Sequence, residues 1–196
     1  MKAMIIAAGM GNRLRPYTDN CPKCMLDFSG KTLLQHQIDA LRANGVTDIS
    51  VVRGYKKEKI DIPSLRYFEN FDYQKNNVLN SLFFGEAELN GPILISYSDI
   101  LFEPAVAKKA LKAVGHISII VDIDWRDYYV DRKDHPISEA ENVIFNKNNM
   151  VRKIGKALDS PSDVDGEFIG MLKLSAEGCE IFKEQFKRAK KKYWDK

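Results

Sequence analysis

Five consecutive apolar residues, Met4-Ile5-Ile6-Ala7-Ala8, stop abruptly at Gly9. Successive side chains of a strand point to opposite faces, so a run with no polar interruption must be buried on both. That requires a sheet covered by helices on each side, and the chain supplies the helices. After Lys31 the period changes: Leu34, Ile38 and Leu41 recur at helical spacing, and Asn44-Gly45 provides a stop. Residues 48–52 read as a second strand and residues 65–68, after Pro63, as a short third. Val78, Leu79, Leu82 and Phe83 mark another helix, preceded by Asn76-Asn77 as caps. A strand at 93–97, a helix at 104–114 and a β-branched strand at 117–123 complete the alternation. The order predicts an α/β fold with a Rossmann-like, mostly parallel sheet flanked by helices.

Past Asp124 the rhythm is lost. Residues 125–141 are polar, aromatic and charged without a clear period, the pattern of a long functional insertion. Residues 143–145 and 150–154, joined through 146–149, read as a β-hairpin, followed by a strand at 168–174 and an amphipathic helix at 176–192. No repeat, low-complexity tract or linker divides the chain, so residues 1–196 are expected to form a single domain. With 44% hydrophobic residues there is enough apolar side chain for one packed core. The formal charge is only +3, and the basic surplus sits in the last ten residues, six basic against Asp195 alone. A basic stripe for nucleic acid is therefore not expected. No apolar run spans a bilayer, and only Lys2 precedes the first one, with no small-residue cleavage site after it. Three cysteines are an odd count for a disulfide framework, and a cytoplasmic protein is the expectation.

The first strand runs directly into Gly9-Met10-Gly11-Asn12-Arg13-Leu14-Arg15-Pro16. Two glycines in three positions let the backbone approach a ligand and present its amides, and Arg13, Arg15 and then Lys23 add cations. Fixed dipoles with mobile cations make an anion site whose natural guest is a polyphosphate. A dinucleotide fingerprint would need a third glycine where Leu14 stands, and a Walker-type loop would need Gly-Lys-Ser/Thr, which is absent. Cys21-Pro22-Lys23-Cys24 has redox or zinc spacing, but no second pair exists and Cys179 is remote, so both are read as ordinary residues. Asp99, just past the strand at 93–97, stands at the carboxyl edge where open α/β sheets bind ligands, and is read either as a helix cap or as a cation ligand.

The combined pattern Gly9-x-Gly11-x-Arg13-Leu14-x-Pro16-x-Thr18, then Pro22-Lys23, resembles the nucleotidyltransferase superfamily that makes nucleoside-diphosphate sugars and CDP-alcohols. The resemblance implies that Ala8, Gly9, Gly11 and Asn12 wrap the nucleotide while Arg13 and Lys23 hold its phosphates and act in catalysis. It also implies a magnesium ion, Mg²⁺, on Asp99. Asn76-Asn77-Val78-Leu79-Asn80-Ser81 is similar to a stretch of cytidylyltransferases that lies beside the base, which makes Asn77 and Ser81 candidates for cytosine contact in addition to capping. Trp125, Tyr129, Arg132, His135-Pro136 and Glu139-Ala140-Glu141, with residues 165–172, look like the 2-aminoethylphosphonate cytidylyltransferases.

An acceptor with a cationic end would suit Asp122 and Asp124, which share a face if the strand continues, and Glu139 and Glu141 if that part is extended. Trp125, Tyr128 and Tyr129 offer ring faces for an ammonium group, and Arg126, Arg132, Lys133 and His135 cations for a phosphonate. The expected activity is transfer of CMP from CTP to a small phosphonate or phosphomonoester with release of pyrophosphate. Phosphocholine transfer, a sugar-1-phosphate reaction and nucleotide binding without catalysis are the alternatives. A homodimer is left open, and neither nucleic acid nor membrane is an expected partner. Related cytidylyltransferases continue beyond the position of Lys196, so a second metal carboxylate is expected either from Asp195 or from a further C-terminal segment.

Overall fold

The computed structural model describes residues 1–75, 77–133, 136–156 and 163–193. In chain order the elements are β1 (Lys2–Ala7), β2 (Asp27–Phe28), β3 (Lys31–Thr32), α1 (Leu33–Arg42), β4 (Ile49–Arg53), β5 (Arg66–Glu69) and α2 (Val78–Phe83). They continue with β6 (Ile93–Tyr97), α3 (Pro104–Lys112), β7 (Ile117–Asp122), β8 (Asn142–Phe145), β9 (Val151–Gly155), β10 (Gly166–Leu174) and α4 (Ala176–Tyr193). Two units are distinguished, Met1–Ser118 with Leu172–Lys196, and Ile119–Met171. Among the described residues no helix is long and apolar enough to cross a membrane.

In the first unit four strands run parallel in the order β5–β4–β1–β6, with Ile5 beside Val51 on one side and Ser96 on the other. The fold class expected from sequence, mostly parallel strands flanked by helices, is the one observed. The register assigns the faces. Met4, Ile6, Val52 and Ile95 share one face, where Gly85 at the end of α2 approaches Met4 and Val52. Ile5, Val51 and Ser96 share the other, where Gln37 of α1 is hydrogen-bonded to Ser96. Met4, Ile5, Val51 and Ile95 are fully buried, as a strand covered on both faces requires. Helix α1 packs with α3, while Phe83 of α2 stacks on Phe182 and Phe186 of α4 at 5.8 and 3.5 Å between ring centres. Thr32 caps α1 by accepting the Gln35 amide at 3.1 Å.

In the second unit β8 and β9 form the expected antiparallel hairpin, and β10 pairs with β8 and with β7. Its loop is closed by Asn146, whose Oδ1 accepts the amides of Asn148 and Met150 at 3.0 Å each, while Asn149 adopts φ 56°.

Three expectations change in detail. Helix α3 stops at Lys112 rather than 114, because Ala113 turns to ψ 139°. Strand β7 stops at Asp122 rather than 123, because its Oδ1 accepts the Asp124 amide at 2.9 Å and turns the chain. Residues 125–141 are not wholly irregular, since 3-10 turns occupy Trp125–Tyr129 and Ile137–Glu139. The β2–β3 ribbon was not anticipated; its turn at Ser29-Gly30 has both φ angles positive, 55° and 84°.

The start of α4 rests directly on backbone. Ser175 donates its amide to the His116 carbonyl at 2.9 Å and accepts the Gly178 amide on Oγ at 2.9 Å. A Cβ at Gly178 would lie 1.8 Å from the same His116 oxygen. Gly178→Ala is expected to cost about 1–3 kcal/mol, because backbone must move to admit a methyl group. Urea denaturation reads this directly, and wild-type stability would show that the helix start tolerates displacement.

Candidate active site

Strands β1 and β6 are neighbours, but the chain leaves β1 toward β4 and β5 and returns to β6 only later. Connections therefore diverge between these two strands, and in an open α/β sheet the crevice at the carboxyl ends opens at that point. A cleft of about 450 Å³ lies there, entirely within the first unit. Its size suits a nucleotide, since such pockets hold about 300–1,000 Å³. The exit of β1 lines it through Ala8, Gly9, Gly11, Asn12 and Arg13, and Lys23 and Cys24 line it from the next loop. Tyr73, Asn77 and Ser81 border it near α2, and Tyr97, Ser98 and Asp99 at the end of β6. Every residue expected from sequence at the nucleotide or the metal is thus brought to one cavity.

The glycine loop is held from beneath. Gly11 has φ 63° and ψ 31°, a left-handed conformation, and caps the 3-10 turn Asn12–Leu14. A Cβ there would lie 3.0 Å from Thr18 Cγ2 and 3.3 Å from Lys23 Cβ, so both torsion and space select glycine. Thr18 is fully buried and donates its hydroxyl to the Gly11 carbonyl at 2.9 Å. The Tyr55 hydroxyl lies 2.9 and 2.7 Å from the carbonyls of Thr18 and Asp19, and the Tyr55 amide bonds the Ala8 carbonyl at 3.1 Å.

Lys23 opens a short 3-10 turn, Lys23–Met25, and reaches across to Asp99, with Nζ 3.0 Å from Oδ2. The side chains are 31% and 42% exposed, so the pair itself adds little stability. Arg13 and Lys23 against the single carboxylate of Asp99 leave the described cleft wall positive, as a polyphosphate site requires. Among the described residues no three His, Cys, Asp or Glu side chains gather to cage a metal. The one carboxylate of the described cleft wall, Asp99, fits a divalent cation that brings phosphate oxygens with its substrate.

At the start of α2, Asn77 Oδ1 accepts the Asn80 amide at 2.9 Å, so the capping role exists and the residue also faces the cleft. Ser81 is buried; its Oγ accepts from Asn70 Nδ2 at 2.8 Å and donates to the Asn77 carbonyl at 3.1 Å. Asn70, itself buried, accepts the Asp72 amide at 2.9 Å. Asn76 lies outside the described residues, as do His135 and Asp195.

The second unit carries the residues expected at the acceptor, with corrections. Trp125 is 2% exposed and packs with Tyr129, Ala140 and Val164, so it belongs to the core of that unit instead of a ligand surface. The ring faces of Trp125 and Tyr129 already carry the chain's own Arg126 and Arg132, at 4.9 and 5.0 Å. Tyr129 donates to Glu167 Oε1 at 2.5 Å, and burial, then the carboxylate, push its phenol well above the ordinary range. The turn at Asp122 ends the strand alternation, and Glu139 sits in a 3-10 turn, so neither acidic pair shares a face by strand geometry. Asp124 and Arg132 are exposed, while Asp122, Glu139 and Glu141 are half-buried.

Sequence reasoning quoted Thr18 in the motif without giving it a role, and missed Gly54, Tyr55, Asn70 and Tyr73. Gly54-Tyr55 follows β4 as Gly9 follows β1, so the carboxyl-edge rule could have found it. Nothing local marks Tyr73, which reaches the cleft wall through a loop.

A family model for the MobA-like NTP transferase domain matches residues 3–146. The CTP:phosphoglutamine cytidylyltransferase of Campylobacter jejuni is 30% identical over 188 residues, covering 89% of this chain and 73% of that protein. The choline-phosphate cytidylyltransferase of Streptococcus pneumoniae is 37% identical over 107 residues, 53% of this chain and 47% of that protein. Among solved structures, the inositol-1-phosphate CTP transferase from T. maritima superposes with a TM-score of 0.73 at 27% identity, covering 92% of this chain and 72% of that one.

The cysteines of the cleft loop are free. Burial, then the neighbouring Cys21, pushes the Cys24 thiol up to about 12, and burial raises Cys21 too. At about pH 7.5 Cys24 is expected to resist iodoacetamide in the native chain and to react once the chain is denatured. Mass spectrometry of the labelled peptides checks this, and rapid native labelling of Cys24 would contradict the burial.

Proposed function

The chain belongs to the MobA-like NTP transferase family, and we propose that it is a cytidylyltransferase joining CMP from CTP to a small phosphorylated or phosphonate acceptor. The observation that carries the proposal is the single cleft at the β1–β6 divergence, which combines the Gly9–Gly11 backbone, Arg13, Lys23, Asn77, Ser81 and Asp99. The names of the relatives support the nucleotide and the reaction class, since they act from CTP on phosphorylated small molecules. The whole chain is read as one nucleotidyltransferase domain, its first unit serving the nucleotide.

In the proposed reaction an acceptor oxygen attacks the α-phosphorus in line and pyrophosphate leaves. The oxygen is already anionic near neutral pH, so the chain needs no general base, and positioning with charge neutralisation dominates. The Gly9 and Gly11 amides with Ala8 and Asn12 wrap the nucleotide, and Arg13 and Lys23 offset the charge growing on the departing pyrophosphate. Lys23 has to leave Asp99 to do this, which frees the carboxylate in the same movement. Asp99 would hold Mg²⁺, whose chemistry when bound is to polarise the α-phosphate and align the reactants. Asn77 and Ser81 would contact the cytosine base, a reading supported by the Ser81 hydroxyl that holds the Asn77 carbonyl. In the second unit Asp122, Asp124, Glu139 and Glu141 favour an acceptor with a cationic end, and exposed Arg132 an anionic one. On that charge pattern 2-aminoethylphosphonate is the preferred acceptor, with phosphocholine the nearest competitor.

Pyrophosphate release from CTP and Mg²⁺ is the direct assay, with 2-aminoethylphosphonate, phosphocholine and glucose-1-phosphate compared as acceptors. Release is expected with the first. Release only with another reassigns the acceptor, and CTP binding without release from any acceptor supports a binding module. Lys23→Ala is expected to lower turnover by about two orders of magnitude, the loss typical for one such donor. Wild-type turnover in that variant would remove Lys23 from the mechanism.

A further inference from the structure

Gln37 is a polar side chain with no contact to solvent, in the middle of α1. An uncharged amide buried there must have all of its hydrogen bonds made inside the protein. Its Nε2 donates to the carbonyl of Tyr97 at 2.9 Å and to that of Ile100 at 2.6 Å, and its Oε1 accepts the Ser96 hydroxyl at 3.0 Å. The three partners bracket Asp99 in the chain. One amide group therefore closes the turn that carries the carboxylate, while the Ser98 amide of the same turn bonds the Ile6 carbonyl of the neighbouring strand β1 at 3.1 Å.

The chemistry of the amide is specific to this task. Two N–H groups at a fixed angle reach two carbonyls three positions apart in the chain, and the carbonyl end takes a hydroxyl. A carboxylate of the same size would face both backbone oxygens with no proton to offer. A thioether of similar volume would fill the space and leave both carbonyls unpaired.

We propose that Gln37 is a positioning residue for nucleotidyl transfer, acting through Asp99 by fixing the turn at Ser98 and Asp99 against the end of β6. The proposal rests on the reading of Asp99 as a ligand of the substrate-borne cation. Gln37 does not line the cleft and touches neither substrate nor reacting atoms. Its effect is on where the Asp99 carboxylate stands, and displacement of such a group is costly because transfer depends on alignment.

The experiment compares Gln37→Glu, Asp99→Asn and the double variant in pyrophosphate release, with the acceptor that supports release in the wild-type chain, alongside CTP affinity by calorimetry. Gln37→Glu is expected to lower kcat about tenfold or more while the CTP dissociation constant moves less than about threefold. In the Asp99→Asn background the same change is expected to have almost no further effect on kcat, because both variants remove one function. A structural role alone would instead give multiplying losses in the double variant, or parallel losses in kcat and CTP affinity, and either result overturns the proposal. Where Gln37→Glu does not fold, the neutral and near-isosteric Gln37→Met takes its place and is read by the same criteria. Full turnover in Asp99→Asn, or a wild-type chain silent with every acceptor, defeats the underlying reading of the site. Full turnover in the Gln37 variant with an impaired Asp99→Asn defeats the role of Gln37 alone.

Discussion

Burial of β1 on both faces is the constraint on which the rest depends. Its five apolar side chains cannot alternate between core and water, so helices must cover the sheet on each side, and parallel pairing with crossover connections is the arrangement that supplies them. Once β1 lies between β4 and β6, the connections from β1 and β6 run apart and leave a crevice at their carboxyl ends. The glycine loop leaves β1 into that crevice, and the turn at Ser98 and Asp99 leaves β6 on the other side. The cleft is thus a product of the topology, and the side chains that fill it are those that happen to follow the strands.

Around the cleft the polar groups divide into those that hold the walls from behind and those that face the cavity. Thr18, Tyr55, Gln37 and Asn70 spend their hydrogen bonds on backbone or on neighbouring side chains and keep the loops in place. Lys23 and Asp99 bind each other at 3.0 Å but stay partly exposed, so a polyphosphate can separate them at little cost. Cys24, although on the wall, keeps its proton because burial raises its thiol far above neutrality, and it adds no nucleophile to the site.

Much of this was legible in the chain. Helices α1 and α2, strands β1, β4, β5 and β6 and the β8–β9 hairpin lie within a residue or two of where period and stop signals put them. The residues expected at the nucleotide share one cavity for the same reason, since a motif that follows a parallel strand inherits the strand's position at the carboxyl edge. Residues 125–141 were harder. Trp125 and Tyr129 read as ring faces for a ligand because aromatic residues in a polar stretch look exposed, whereas the second unit needs them for its own small core. Asp122 and Asp124 were expected on one face by extrapolating strand alternation, which a side chain-to-backbone turn ends one residue too early.

By itself the sequence determined the α/β class, the strand–helix order and the glycine-rich loop with its cations that follows the first strand. Each of these follows from local period, local residue type or local charge. Only the tertiary structure decided which distant side chains would meet: Lys23 with Asp99 across 76 positions, Gln37 with the Tyr97–Ile100 turn, Tyr55 under Thr18, and Asn70 with Ser81. Such meetings depend on strand order and on helix placement over the sheet. Short-range patterns carry no record of either, because one buried polar residue in a helix looks the same whatever loop it finds above it.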